Sequence, residues 1–139
     1  MPTDADVTTV RRLYEALAQQ DMTTVASCFH LDAVWRIPGS SVLAGVHRGW
    51  PAIRDDIFAR QSPLSGGTFR ARLLDLAVGD VYIVAVAYAT AEHAGRQLDQ
   101  SVCQLMRVED GTIREIRGHY ADVAQLDAFW GTAASRSSP

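Results

Sequence analysis

DAVWRIPGSSVLAGVHRGWPAIRDDI, Asp32 to Ile57, decides how this chain is read. Alternation puts Trp35 and Ile37 on one face of a short strand, Val34–Ile37, which Pro38-Gly39 stops. A loop carrying Leu43-Ala44-Gly45 follows. Arg48-Gly49 then opens a helix over about Trp50 to Arg60, with Pro51 in its first turn. Proline's missing N–H would be unpaired there in any case. The helix buries Ile53, Ile57 and Phe58, and Ser62-Pro63 with Ser65-Gly66-Gly67 ends it in a loop.

Upstream of this stretch, Val7, Val10, Leu13, Tyr14 and Leu17 recur at helical spacing, which predicts an amphipathic helix over about Asp6 to Gln20. Asp21 caps a second, short helix with Val25, Cys28 and Phe29 facing inward. Downstream the period changes from helical to two. Phe69–Val78, Val81–Glu92, Gln97–Val108 and Thr112–Ala121 read as strands. Gly79-Asp80, Ala94-Gly95 and Asp110-Gly111 supply the turns. Asp122–Trp130 closes the domain as a helix. The fold class is α+β: helices first, a curled antiparallel meander, then a terminal helix. One domain spans residues 1–130, and the small, polar segment 131–139 reads as a disordered tail.

Four alanines, Ala85, Ala87, Ala89 and Ala91, fall on one face of the second long strand, and Tyr82, Val84, Val86, Tyr88 and Thr90 on the other. Methyl groups alone do not fill a concave sheet. Either a helix packs very closely on them or a cavity lies above them. The opposite face is apolar as well, which predicts cover by a second copy in a homodimer.

Composition narrows the partners. The 139 residues carry a net charge of −3, with 13 Lys and Arg scattered along the chain. That leaves no basic footprint for nucleic acid or anionic lipid. No apolar run approaches the roughly 20 residues of a membrane span, and the N-terminus lacks a signal-peptide pattern. Cys28 and Cys103 lie far apart without metal-ligand spacing, and His30, His47 and His93 sit at element ends or in loops. A cytoplasmic protein with reduced thiols, no metal and no cofactor is the expectation.

LYEALAQQD (Leu13–Asp21), DAVWRIPG (Asp32–Gly39), LAGVHRG (Leu43–Gly49), DGTIREI (Asp110–Ile116) and YADVAQLDAFW (Tyr120–Trp130) together resemble the SnoaL-like branch of the nuclear transport factor 2-like superfamily. The resemblance implies a cone-shaped α+β fold whose curved sheet packs on the N-terminal helices around a deep pocket for a mostly apolar small molecule. Its branches include polyketide cyclases, ketosteroid isomerases, limonene epoxide hydrolases, scytalone dehydratases and members without catalysis, so the fold does not name a reaction.

Ketosteroid isomerases use a carboxylate base with a tyrosine and a protonated aspartate as oxyanion donors. Aligned on the shared motifs, those positions are Ile37, Leu13 and Gln104 here, and none is kept. The Asp-Arg-Asp arrangement of the epoxide hydrolases is missing too, since its last-strand carboxylate aligns with Gly118. A SnoaL-type cyclase needs one acidic base near the sheet's end and polar neighbours for the enolate, which singles out Asp122, His119 and Gln104. Such a base contributes roughly 10²–10⁴-fold. Asp122 also precedes a helix with Gln125 three residues on, the pattern of an N-cap. His119 and Asp122 differ by three, so a regular strand sends them to opposite faces unless it bulges or ends between them. Gln104, mid-strand among apolar residues, needs a buried hydrogen-bond partner. Tyr14, Trp35, Ile37, Val102, Ile116 and Tyr120 are expected to line the pocket, where a tyrosine hydroxyl can donate to an enolate. The expectation is thus a cofactor-free enzyme acting on an apolar, carbonyl-bearing metabolite by cyclisation, isomerisation or dehydration. The alternatives are epoxide opening in the same pocket and a non-catalytic, dimeric binder of hydrophobic ligands.

Overall fold

Thr3 starts the first helix by a capping box: its hydroxyl accepts from the Asp6 N–H, while the Asp6 carboxylate accepts from the Thr3 N–H. A computed structural model of the chain describes residues 1–132, beginning with this helix, α1 (Asp4–Ala18), and α2 (Met22–Ser27), which Asp21 caps. Then come β1 (Phe29–Ile37), β2 (Gly45–Arg48), α3 (Trp50–Ile53), a π turn (Arg54–Phe58), α4 (Ala59–Ser65), β3 (Arg70–Val78), β4 (Ile83–His93), β5 (Arg96–Glu109), β6 (Thr112–Tyr120) and α5 (Val123–Trp130).

The six strands form one sheet in the order β2-β1-β6-β5-β4-β3. Every pairing is antiparallel except β1 with β6, which run parallel, so the expectation of a wholly antiparallel sheet is corrected there. Residues 38–111, carrying β2, the Trp50–Ser65 helix and β3 to β5, separate β1 from β6, long enough a connection for parallel pairing.

Three other local expectations change. β1 begins five residues earlier than Val34, because the Phe29 ring packs inward against Trp35 and Trp50. Gly45–Arg48, read as loop, is a short edge strand held by backbone pairing to β1 rather than by apolar alternation. The helix after Trp50 runs through Pro63 to Ser65 and stops at Gly66, whose φ of 62° is the left-handed cap. There the Ser65 hydroxyl donates to the Gln61 carbonyl at 2.7 Å and accepts from the Phe69 N–H at 3.3 Å.

Gly131 and Thr132, assigned to a disordered tail, are held instead. Gly131 is buried, its carbonyl accepts from Val42 N–H at 2.8 Å, and Thr132 bridges to Ser41. The rest of that tail lies outside the described residues. Among those residues no helix is long and apolar enough to cross a membrane.

The concave face of the sheet carries the core. Ile83, Leu98, Met106, Val108, Ile113 and Ile116 are all buried on it, with Val10, Leu13, Ile53 and Ile57 facing them from the helices. On the convex face Val84, Val86 and Tyr88 of β4 are half-buried, while Arg36, Glu115 and Arg117 form an ion-paired group over β1 and β6. That face is therefore apolar over β4 and charged towards β1, not apolar throughout.

Candidate functional site

Between α1, the Trp50–Ser65 helix and the concave sheet lies a cavity of about 860 Å³ that opens to solvent. Its size is that of a small-molecule site. Ala87 and Ala89 form part of its floor, which decides the alternative left by the alanine row: space, not a close-packed helix, stands above these two methyls. The other walls come from Tyr14 and Leu17 of α1, Trp35 of β1, Phe58 of the π turn and Leu73 of β3. Val102, Gln104 and Met106 of β5 and Tyr120 of β6 complete them. A π turn carries one extra residue per turn and so re-aims the side chains on it. Here Phe58 meets Trp35 edge-on, with ring centroids 5.5 Å apart. Phe29 stacks behind Trp35.

The polar groups inside are few and uncharged. Gln104 pairs with Gly118 across β5 and β6 and is 7 % exposed. Its amide lies beside the Tyr120 phenol. Burial pushes that phenol up to about 12, and the Gln104 amide, which favours the phenolate, pulls it only partly back. Tyr14 is raised further by burial, and then by the neighbouring Tyr120. Both phenols therefore stay protonated through the physiological range and act as hydrogen-bond donors. The Gln104 carbonyl oxygen and the Trp35 indole N–H are buried with no partner among the described residues. The charged residues of the wall, Arg11, Glu15, Arg54, Arg70 and Arg72, are all exposed and belong to the mouth.

Gly118 explains how Tyr120 reaches Gln104. A Cβ at position 118 would stand 2.8 Å from Tyr120 Cε2 and 3.0 Å from Gln104 Oε1. The Tyr120 ring thus occupies the space that a side chain would fill, two residues back along its own strand.

The expected chemistry at the end of the sheet is not in the cavity. Asp122 is exposed and caps α5, its carboxylate accepting from Gln125 N–H at 3.0 Å. His119 is exposed on the convex face, opposite Cys103. β6 runs regularly through His119 and Tyr120, so alternation sends Tyr120 inward and His119 outward, and no bulge brings the two expected bases together. Gln104, Tyr14, Trp35, Val102 and Tyr120 line the cavity as placed by sequence. Ile37 instead faces a second, smaller void, and Ile116 is fully buried between its cross-strand neighbours Trp35 and Met106. Phe58 and Met106 are wall residues that the sequence reading did not assign. Phe58 was recognisable as buried, but which way it faces depends on the π turn, for which the sequence has no signal.

The SnoaL-like domain model matches residues 10–116, most of the chain. The chain belongs to the SnoaL-like family. This SnoaL-like protein is 35% identical over 134 residues to an uncharacterized protein of Mycobacterium tuberculosis (strain ATCC 25618 / H37Rv), a match covering 94% of this chain and 99% of the relative. The structure of Bal32a, from a soil-derived mobile gene cassette, is 35% identical, with a TM-score of 0.87, covering 92% of this chain and 98% of that one. TerC co-crystallized with polyporic acid has the same fold at 17% identity, with a TM-score of 0.79 over 92% of this chain and 100% of TerC.

Proposed function

We propose that this SnoaL-like protein binds a mostly apolar, carbonyl-bearing small molecule in the 860 Å³ cavity, without metal or cofactor, and polarises its carbonyl through Tyr120 and Tyr14. One observation carries this reading. Two phenols held neutral by burial, Tyr14 and Tyr120, with the Gln104 amide beside Tyr120, form a polar end to a mostly apolar enclosure. An apolar body gains from burial against Trp35, Phe58, Leu73 and Met106, while its oxygen accepts from phenols that no longer compete with bulk water. TerC, with the same fold, was co-crystallized with polyporic acid, which is consistent with a pocket for a small organic ligand.

A second reading, turnover, is favoured by the same phenols. A phenol held neutral is suited to donating to an oxygen on which charge develops, as in enolate formation during cyclisation, isomerisation or dehydration. Among the described residues the wall contains no buried carboxylate or imidazole. In this reading the proton therefore leaves the ligand to water or to an oxygen of the ligand itself. Epoxide opening loses support, because the aligned last-strand position is Gly118, with the Tyr120 ring lying over it.

Native mass spectrometry of the purified protein, followed by calorimetric titration with aryl ketones, tests the binding reading. An organic adduct or a saturable ketone site supports it. An empty protein that binds no ketone overturns it. Deuterium exchange at the α-carbon of a bound ketone decides turnover: exchange faster than in buffer supports enolisation, and exchange at the buffer rate refutes it.

A further inference from the structure

Gly118 is buried two residues before the end of β6, and its φ lies outside the left-handed region, so the backbone does not require glycine there. Glycine inside a strand weakens it unless another group needs the space. Here that group is Tyr120. Its Cε2 would lie 2.8 Å and its Cζ 3.5 Å from a Cβ at 118, with Gln104 Oε1 at 3.0 Å. Tyr120 also stands between two spaces. It lines the large cavity on one side and, on the other, a void of about 20 Å³ whose further walls include Ile37, Leu43, Leu98, Leu126 and Trp130. Only Trp35, Gln61 and Phe69 share that double position.

We propose that Gly118 is the residue that sets the depth of the pocket. The absence of a side chain at 118 lets the Tyr120 ring fold back onto β6 and close the inner end of the cavity. The ligand is thereby cut off short of the apolar chamber behind the ring. A side chain at 118 displaces the ring, joins the two spaces and admits a ligand longer at its apolar end. The family of ligands accepted is selected by length at this end, and the selecting wall is a tyrosine that also presents its hydroxyl to the ligand. This inference rests on the reading that the cavity binds an apolar carbonyl compound.

The experiment uses phenyl alkyl ketones of increasing chain length, from acetophenone upward, titrated calorimetrically against the wild type, Gly118→Ala, Tyr120→Ala and the double variant. In the wild type each added methylene raises affinity by roughly fourfold until a cut-off length, after which the gain stops. Gly118→Ala and Tyr120→Ala each move the cut-off to longer chains, and the double variant moves it no further than Tyr120→Ala alone. A cut-off at the same length in all four proteins overturns the proposal, as does a Gly118→Ala that weakens every ketone equally without moving the cut-off. If Gly118→Ala does not fold, as judged by circular dichroism, Tyr120→Ala decides alone: an unmoved cut-off refutes the partition. Should no ketone bind the wild type at any length, the binding reading itself fails and this inference falls with it. Binding with an unmoved cut-off refutes the inference only.

Discussion

The Tyr120 ring lies across Gly118, close enough that a single added methyl would stand 2.8 Å from its Cε2. This contact bends Tyr120 back toward Gln104, the direct cross-strand neighbour of Gly118, and turns three ordinary strand residues into the polar end of an apolar cavity. The consequences for stability and binding can be measured separately.

The buried phenols make the fold sensitive to alkali. A phenol whose folded pKa lies above its unfolded value of 10.0 stabilises the fold fully below pH 10, and that contribution is lost as pH rises through the folded value. For Tyr120, raised to about 12, the loss is on the order of 3 kcal/mol. Urea unfolding between pH 8 and pH 12 checks this. Tyr120→Phe should retain more of its stability across that range than the wild type, and parallel curves would show that burial does not hold the phenol neutral.

Asp6 joins the two ends of the domain. Its carboxylate accepts from Thr3 N–H at 3.0 Å and from Gly111 N–H, in the β5–β6 turn, at 2.9 Å. Burial alone would raise its pKa, but these bonds outweigh burial and hold it below the usual carboxylate range. Its stabilisation is present above pH 3.8 and is lost as pH falls through the lowered value. Asp6→Ala should cost about 1–3 kcal/mol in chemical denaturation at neutral pH. A change within error would mean that the carboxylate is replaceable by water.

Gln100 fixes the start of α5. Its buried amide donates to the Asp122 carbonyl at 2.8 Å and to Gln125 Oε1 at 3.0 Å, and it accepts from Asp122 N–H at 2.9 Å. Gln100→Leu leaves those backbone groups unpaired and should lower stability by about 1–3 kcal/mol. Asp122→Ala removes only the cap and should cost about 1 kcal/mol. Neither Asp122→Ala nor His119→Ala should alter ketone affinity, because both residues point away from the cavity. A loss of binding in either variant would return them to the site.

Residues 84 and 86 test the expected homodimer. Val84 and Val86 are half-buried on the convex side of β4, and Leu74 of the neighbouring strand β3 is half exposed. Sedimentation velocity should give a dimer for the wild type and a monomer for Val86→Arg. A monomeric wild type at micromolar concentration would refute the pairing.

The order of the main helices and long strands was legible because periodicity and turn residues are local signals, whereas the pocket that Tyr14, Trp35, Val102, Gln104 and Tyr120 line was implied by the family resemblance. The alanine row left a close-packed helix and a cavity both open, and only the structure puts space over Ala87 and Ala89. The direction of Asp122 was open in the same way: the same residue reads as a helix cap or as a base until the end of β6 is fixed. The π turn and the β2 edge depend on backbone pairing with distant residues, and the seat of Tyr120 on Gly118 depends on a ring rotamer. Sequence spacing encodes neither.

Binding as proposed rests on Tyr14 and Tyr120 recognising a carbonyl oxygen inside a mostly apolar enclosure. The most direct measurement compares one aryl ketone with the hydrocarbon of the same skeleton by calorimetric titration, in the wild type and in Tyr14→Phe/Tyr120→Phe. The ketone should bind the wild type about tenfold more tightly than the hydrocarbon, and the double variant should bind both alike. Equal affinities in the wild type, or an unchanged preference in the double variant, would contradict it.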